Sequence, residues 1–214
     1  MSESHAAIVI PALNEANTIG KIIESVKSLG TVIVVNDGSS DNTEEISKSA
    51  GAIVVNHSSN KGYDAALLSG IDKAHRMGKK IVVTMDADGQ HDPAYVMNAI
   101  SIIESGDVKI VLTYRDRKAR FSEHIYGFIA KRIYGIEDIL CGLKAFHIDI
   151  YSAYGYIMKK QTIGTGLAIC SVKGGNNFVQ FPISVKDREN GSSKMGKEMQ
   201  VNYSILKGMF RALF

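Results

Sequence analysis

The 214-residue chain contains no tryptophan, three prolines and two cysteines. Cys141 and Cys170 are 29 positions apart with no Cys-x-x-Cys pairing, which excludes a disulfide framework and a cysteine zinc site; both read as buried, inert thiols. Long hydrophobic runs are also missing. The longest, Ala6 to Leu13, is eight residues even with Pro11 counted, against the roughly 18 that a membrane-spanning helix needs. Met1 to His5 has no basic segment leading into an apolar core, so no secretory leader is expected and the protein is expected to stay cytoplasmic. Apolar residues make up 45% and charged residues 22%, ordinary values that exclude a disordered or fibrous chain and fit one domain with a small appendage.

The net charge of +3 is unevenly spread. Between Lys109 and Arg132 seven basic residues face two acidic ones, and from Lys186 onward six face three. The remainder of the chain is acidic, so an anionic partner is expected near the second half, with solvated surface charge as the plainer alternative. No nucleic-acid partner is expected.

Short β-branched runs at Ala6–Pro11, Thr31–Asn36, Ala52–Asn56, Lys80–Met85 and Val108–Thr113 have the composition of strands buried on both faces. Between them, Ile19, Ile22, Ile23, Val26 and Leu29 recur at helical spacing and stop at Gly30. Leu67, Ile71 and Ala74 stop at Gly78, and Val96, Met97, Ile100 and Ile103 stop at Gly106. This alternation predicts right-handed βαβ units, an α/β fold with a mainly parallel sheet and helices on both faces. Further on, a strand near Gly142–His147, a helix near Thr162–Lys173 and a strand over Asn177–Ser184 are expected. At the end, Met199, Tyr203, Leu206, Phe210 and Leu213 share one helical stripe, suited to packing on the domain, on a sister copy, or on a membrane surface.

Ligands of such sheets bind at the carboxyl ends of strands, and the polar residues gather there. Pro11-Ala12-Leu13-Asn14-Glu15 follows the first run, Asn36-Asp37-Gly38-Ser39-Ser40-Asp41 the second, Asn60-Lys61-Gly62 the third, and Asp86-Ala87-Asp88-Gly89-Gln90-His91 the fourth. Asp41, Asn42 and Asn17 also suit plain helix capping. Asp86 and Asp88 carry the strongest signal. Two carboxylates one residue apart after a buried strand repel unless a cation holds them, and Mg²⁺ or Mn²⁺ takes one or two such groups beside substrate phosphates. A capped turn is the bland alternative. No G-x-G-x-x-G, H-E-x-x-H or G-x-S-x-G occurs, and the P-loop-like spacing at Gly191–Lys197 ends on Glu198 where Ser or Thr is required. The six histidines show no paired ligand spacing and read as surface or structural, His91 alone lying near the expected metal.

Taken in order, Pro11-x-x-Asn14-Glu15, Asn36-Asp37-Gly38-Ser39-x-Asp41, Asn60-x-Gly62, Asp86-x-Asp88-x-Gln90 and Arg188-x-x-Gly191-x-Ser193-Lys194 resemble the family 2 glycosyltransferases of GT-A fold. Within these, the branch of the dolichol-phosphate mannose synthases is the most similar, and Asp138 to Phe146 resembles its acceptor-side segment. The resemblance implies a GT-A domain over residues 1–196, with a nucleotide-sugar half to about residue 106 and a smaller, partly antiparallel acceptor half after it, followed by a C-terminal amphipathic helix over 197–214. It implies that Pro11, Glu15 and Asp37 hold the nucleoside of a GDP- or UDP-linked sugar, with Asn14, Gly38, Ser39, Lys61, Gly62 and Ala87 lining that site. Asp86, Asp88 and Gln90 would hold Mg²⁺ or Mn²⁺. Arg115, Arg188, Ser193 and Lys194 would bind donor pyrophosphate or acceptor phosphate, with Asp86, Asp88, Arg188 and Lys194 acting in catalysis.

Where relatives carry acidic residues at the start of a helix, Gln161 to Leu167 has no carboxylate. A sugar-hydroxyl acceptor would lack a base from this position, whereas a polyprenyl phosphate is already a dianion near neutral pH and needs none. The expected partners are therefore a nucleotide sugar and a polyprenyl phosphate, reached through peripheral membrane contact or a membrane subunit, with a homo-oligomer as a further expectation. A haloacid-dehalogenase-type phosphotransferase, which also places Asp-x-Asp after a strand, and a sugar-nucleotide-binding relative without turnover are the competing readings.

Overall fold

The computed structural model describes residues 5–116, 121–158 and 163–185. Its frame is a seven-stranded sheet in the order β3-β2-β1-β4-β6-β5-β7. The central strand β1 (Ala6–Ala12) is buried along its whole length and pairs in parallel with β2 (Thr31–Asn36) and β4 (Ile81–Thr84); β3 (Ile53–Asn56) closes one edge against β2. Side chains alternate between faces along each strand. Ile8, Ile10, Val34 and Val83 therefore pack with Ile22, Ile23, Val96 and Ile100 of α1 (Ile19–Val26) and α4 (Pro93–Glu104). On the opposite face, Val9, Ile33 and Val82 meet Leu67 and Ile71 of α3 (Tyr63–Arg76). Both faces are covered, which explains the near-continuous apolar runs read in the sequence.

The second half departs from a simple parallel pattern. β5 (Ile110–Arg115) does not pair with β4. Instead β6 (Lys144–His147) lies between them, antiparallel to both, and β7 (Phe178–Ile183) pairs in parallel with β5 at the far edge. The sheet is thus continuous across the two halves expected on either side of residue 106. α5 (Phe121–Tyr134), α6 (Ile148–Met158) and α7 (Ile163–Lys173) cover the face already occupied by α3, through Tyr126, Ala130, Ile150 and Leu167.

Three helices have no counterpart in the sequence reading: α2 (Thr43–Ser49), α5 and α6. α2 buries Thr43 and Ser47, so it has no apolar stripe to recognise. Met97, placed on the apolar stripe of α4 by spacing, is 53% exposed. Cys141 is buried as expected, whereas Cys170 is only half-buried. No described helix is long and apolar enough to cross a membrane. Residues 197–214, expected to form an amphipathic helix, lie outside the described residues, as do Lys118 and Arg120 of the basic stretch between Lys109 and Arg132.

Candidate functional site

The turn after β1 is set by Asn14, whose φ of 53° places it in the left-handed region that Asn tolerates better than most residues. That turn is tied to the loop after β2. The Asn14 amide donates to Ser39 Oγ (2.9 Å), and Asn14 Oδ1 accepts from the Ser40 amide (2.8 Å). The Glu15 amide donates to Thr43 Oγ1 at 2.8 Å and the Ala16 amide to Asp41 Oδ2 at 3.1 Å. Asp41 therefore joins two loops, beyond the capping role it could have had. Thr18 Oγ1 donates to the Ala87 carbonyl at 2.8 Å, linking the β1 loop to the Asp86-Ala87-Asp88 turn.

Asp37 stands at the end of β2 and is buried. Its Oδ1 accepts from the Lys61 amide (2.9 Å) and from His57 Nδ1 (2.6 Å), and its Oδ2 accepts from the Gly62 amide (2.8 Å). Burial pushes its carboxyl up, but these bonds and the imidazole beside it hold it below the usual carboxylate range. With Nδ1 donating to Asp37, His57 Nε2 faces Ser69 Oγ at 2.9 Å. The expectation of a structural histidine holds here.

Asp86 follows β4, where its Oδ1 accepts from the Tyr63 hydroxyl (2.9 Å) and its Oδ2 lies 3.5 Å from His91 Nε2. Burial raises its pKa, while the bonds from His91 and Tyr63 and the charges of His91 and Lys144 bring it below the ordinary value. Gly142 crosses directly over this carboxylate, and a Cβ there would collide with Asp86 Oδ2. Asp88 and Gln90 lie half-buried in the same turn, joined by a 3.2 Å bond from the Gln90 amide to Asp88 Oδ1.

Among the described residues no group of three His, Cys, Asp or Glu is placed to cage a metal. The Asp86 and Asp88 pair instead suits a hard ion that completes its shell on substrate oxygens and water. His91 Nδ1, buried and without a hydrogen-bond partner among the described residues, is an unused polar atom beside that turn.

Arg115, expected to face a phosphate, turns into the protein. Its Nε and Nη2 form a fork on Asp138 (2.7 and 3.2 Å), and Nη2 also reaches Glu123 Oε2 at 3.2 Å. Asp138 and Glu123 are buried, so the guanidinium is engaged by two protein carboxylates. Behind Asp86 lies Lys144, buried, with Nζ bonded to the Cys141 carbonyl. Desolvation lowers its pKa, opposed by nearby Cys141, Asp138 and Asp86. Arg188, Ser193 and Lys194 lie outside the described residues.

Sequence reasoning assigned no individual role to Tyr63, Asp64 or Lys144, and read His57 only as one of six surface or structural histidines. Lys144 alone gave a signal, as a lysine within the apolar run Leu143 to Phe146.

Residues 7–161 match the family described as Glycosyl transferase family 2. The chain belongs to that family. It is similar, at 31% identity over 239 residues covering 96% of this chain and 94% of the relative, to the UDP-N-acetylglucosamine–dolichyl-phosphate N-acetylglucosaminyltransferase of Methanococcus voltae. At 26% identity it resembles the polyprenol monophosphomannose synthase of Mycolicibacterium smegmatis, covering 88% of this chain and 80% of that one. Among solved structures, glucosyl-3-phosphoglycerate synthase from Mycobacterium tuberculosis, in complex with Mn²⁺, UDP and glucosyl-3-phosphoglycerate, superposes with a TM-score of 0.75 at 20% identity. The match covers 99% of this chain and 79% of that one and shows a common fold. The family 2 chain is a glycosyltransferase, and the phosphotransferase reading falls.

Proposed function

We propose that this family 2 enzyme moves a hexose from a nucleoside diphosphate sugar to a polyprenyl phosphate, with inversion and with the help of a divalent metal. The observation that carries the reading is the Asp86 and Asp88 pair at the end of β4, which among the described residues is not part of a three-ligand His, Cys, Asp or Glu cage, although His91 lies beside it. Such a donor set needs diphosphate oxygens to complete it. Asn14, Glu15, Asp37, Gly38 and Ser39 line the nucleotide side, together with Pro11, Lys61, Gly62 and Ala87. Asp86, Asp88 and Gln90 would hold Mg²⁺ or Mn²⁺, which when bound would supply positive charge against the departing diphosphate. Arg188, Ser193 and Lys194 are assigned to phosphate. Arg115 holds the acceptor segment in place through Asp138.

An acceptor phosphate oxygen forms the new bond to the anomeric carbon as the bond to the diphosphate breaks, and the nucleoside diphosphate leaves with the electron pair. The nucleophile is already ionised, since a phosphate monoester has a second pKa of about 6. This accords with the lack of a carboxylate over residues 161–167. The polyprenyl-phosphate acceptors named for the curated relatives support the same choice.

The test is thermal stabilisation by GDP-mannose, UDP-glucose and UDP-N-acetylglucosamine with and without Mn²⁺, then sugar transfer. One nucleotide at about 100 times its Kd should stabilise the fold by about 2.7 kcal/mol, only with metal and not in Asp88→Ala. Transfer to a soluble hydroxyl acceptor but not to a polyprenyl phosphate would overturn the acceptor, and binding without turnover would leave a sugar-nucleotide-binding relative.

A polyprenyl phosphate is anchored in a bilayer, and α5 offers a face to meet one. Phe128 is 72% exposed and lies between His124 and Arg132 at one-turn spacing, with Lys131 beside it, all exposed. Binding to vesicles containing anionic lipid should weaken in Lys131→Ala/Arg132→Ala by up to about 1 kcal/mol per basic residue, less for Lys131 because it is paired with Glu137 at 2.7 Å, and the difference from wild type should shrink at high salt. Unchanged vesicle binding would place the contact elsewhere.

A further inference from the structure

Four consecutive residues, Lys61 to Asp64, touch three separate parts of the site. The amides of Lys61 and Gly62 donate to Asp37 at 2.9 and 2.8 Å. The Tyr63 hydroxyl donates to Asp86 Oδ1 at 2.9 Å, and Asp64 Oδ1 accepts from the Ile163 amide at 2.9 Å. The Gly164 amide is directed at the same carboxylate.

Gly62 makes this divergence possible. With φ at 92° it turns the chain into α3, so that two amides face β2 before the helix begins. Tyr63 and Asp64 are the first two helical residues, about 100° apart around the axis, and they leave in different directions. One goes to the strand carrying the Asp86 and Asp88 pair. The other reaches the first turn of α7, 99 residues away in sequence.

The first turn of a helix carries amides without intrahelical partners, and α7 has no acidic residue of its own there. Asp64 supplies that cap from another helix, and a Cβ at Gly164 would lie 3.5 Å from Leu67, one turn further along α3. The nucleotide-side loops follow β1, β2 and β3, whereas α7 packs over β5, on the other side of β4 in the sheet. Asp86 therefore stands between the nucleotide loops and the first turn of α7.

We propose that Tyr63 and Asp64 are positioning residues with separate clients: Tyr63 fixes the Asp86 carboxylate for the donor, and Asp64 fixes the first turn of α7 as the facing wall for the acceptor. One helical turn thus sets the gap across which the sugar moves. The inference rests on the proposed transfer reaction, and the test separates the two.

Tyr63→Phe keeps the ring and removes one hydroxyl. It should weaken metal-dependent donor binding about tenfold or more and leave the acceptor KM unchanged. Asp64→Ala should speed amide exchange in the first turn of α7 and raise the acceptor KM, with donor binding intact. Asp64→Asn, which still accepts an amide hydrogen bond, should restore both. Equal loss of donor binding in Tyr63→Phe and Asp64→Ala would overturn the division of roles. So would unchanged exchange in Asp64→Ala, or an Asp64→Asn variant with protected amides and no transfer, which would make the carboxylate a base. Donor binding and exchange need no acceptor, so they judge the inference even if polyprenyl phosphate is not the substrate.

Discussion

Arg115→Ala should destabilise the fold by about 3–5 kcal/mol, a fall in Tm of about 6–20 °C for a domain of this size. The side chains of Asp138 and Glu123 are 3% and 4% exposed, and Arg115 is their shared cation at 18%. Truncating it leaves two carboxylates buried without the charge that compensates them. The pH dependence gives an independent check. Burial raises the Asp138 pKa, but the bonds and charge of Arg115 bring it below its ordinary value. A depressed carboxylate adds stability above its unfolded pKa, near 3.9, and that stability is lost as pH falls through the folded value. The gap between wild type and Arg115→Ala in denaturant titrations should be largest near neutral pH and should narrow as pH falls toward and through the carboxylate range, because without Arg115 burial alone pushes Asp138 up and protonation relieves it. Arg115→Lys should fall between the two, since an ammonium cannot make the fork on Asp138. A gap that persists undiminished in acid would mean that Arg115 acts through packing of its stem.

Gly142→Ala should leave the protein folded and cost about 100-fold in transfer rate. The added Cβ would overlap the Asp86 carboxylate, so Asp86 or the Asp138 to Gly142 segment must move. The segment is not free to retreat, because the Gly142 carbonyl accepts from Thr84 Oγ1 at 2.8 Å and Lys144 Nζ is bonded to the Cys141 carbonyl. If Asp86 holds the donor as proposed, displacing it by about 1 Å is enough for an effect of this size. The stability cost of such overpacking is typically about 1–3 kcal/mol, measurable separately by thermal unfolding. Full activity with unchanged donor binding would remove Asp86 from the donor machinery.

The parallel half of the molecule was legible because its physics is local. β1 alternates Ile8 and Ile10 against Ala7 and Val9, and both sets are buried, so the run had to be a strand covered on both sides. α5 was not legible, since Glu123 is buried while Phe128 is exposed, the reverse of what composition suggests. Glu123 is inside because Arg115 is there to meet it. α6 has apolar or small residues on every side through Ile148, Ile150, Tyr151, Ala153 and Tyr154, so its period was hidden. Arg115 read as an available cation because its partners lie 8 and 23 residues further along the chain. Asp86 and Asp88 were singled out because two carboxylates in one turn are conspicuous in any sequence. Tyr63 was not, because only the fold brings its hydroxyl to Asp86.

The placement of β6 has a temporal consequence. β5 is synthesised before β6, yet it cannot take its place in the sheet until β6 has entered between it and β4. Until residues 144–147 have emerged, β4 therefore presents an open edge of unpaired amides and carbonyls immediately before Asp86. The chain must deliver β6 before β4 is closed on that side, so a nascent chain halted after residue 106 is an unfinished sheet.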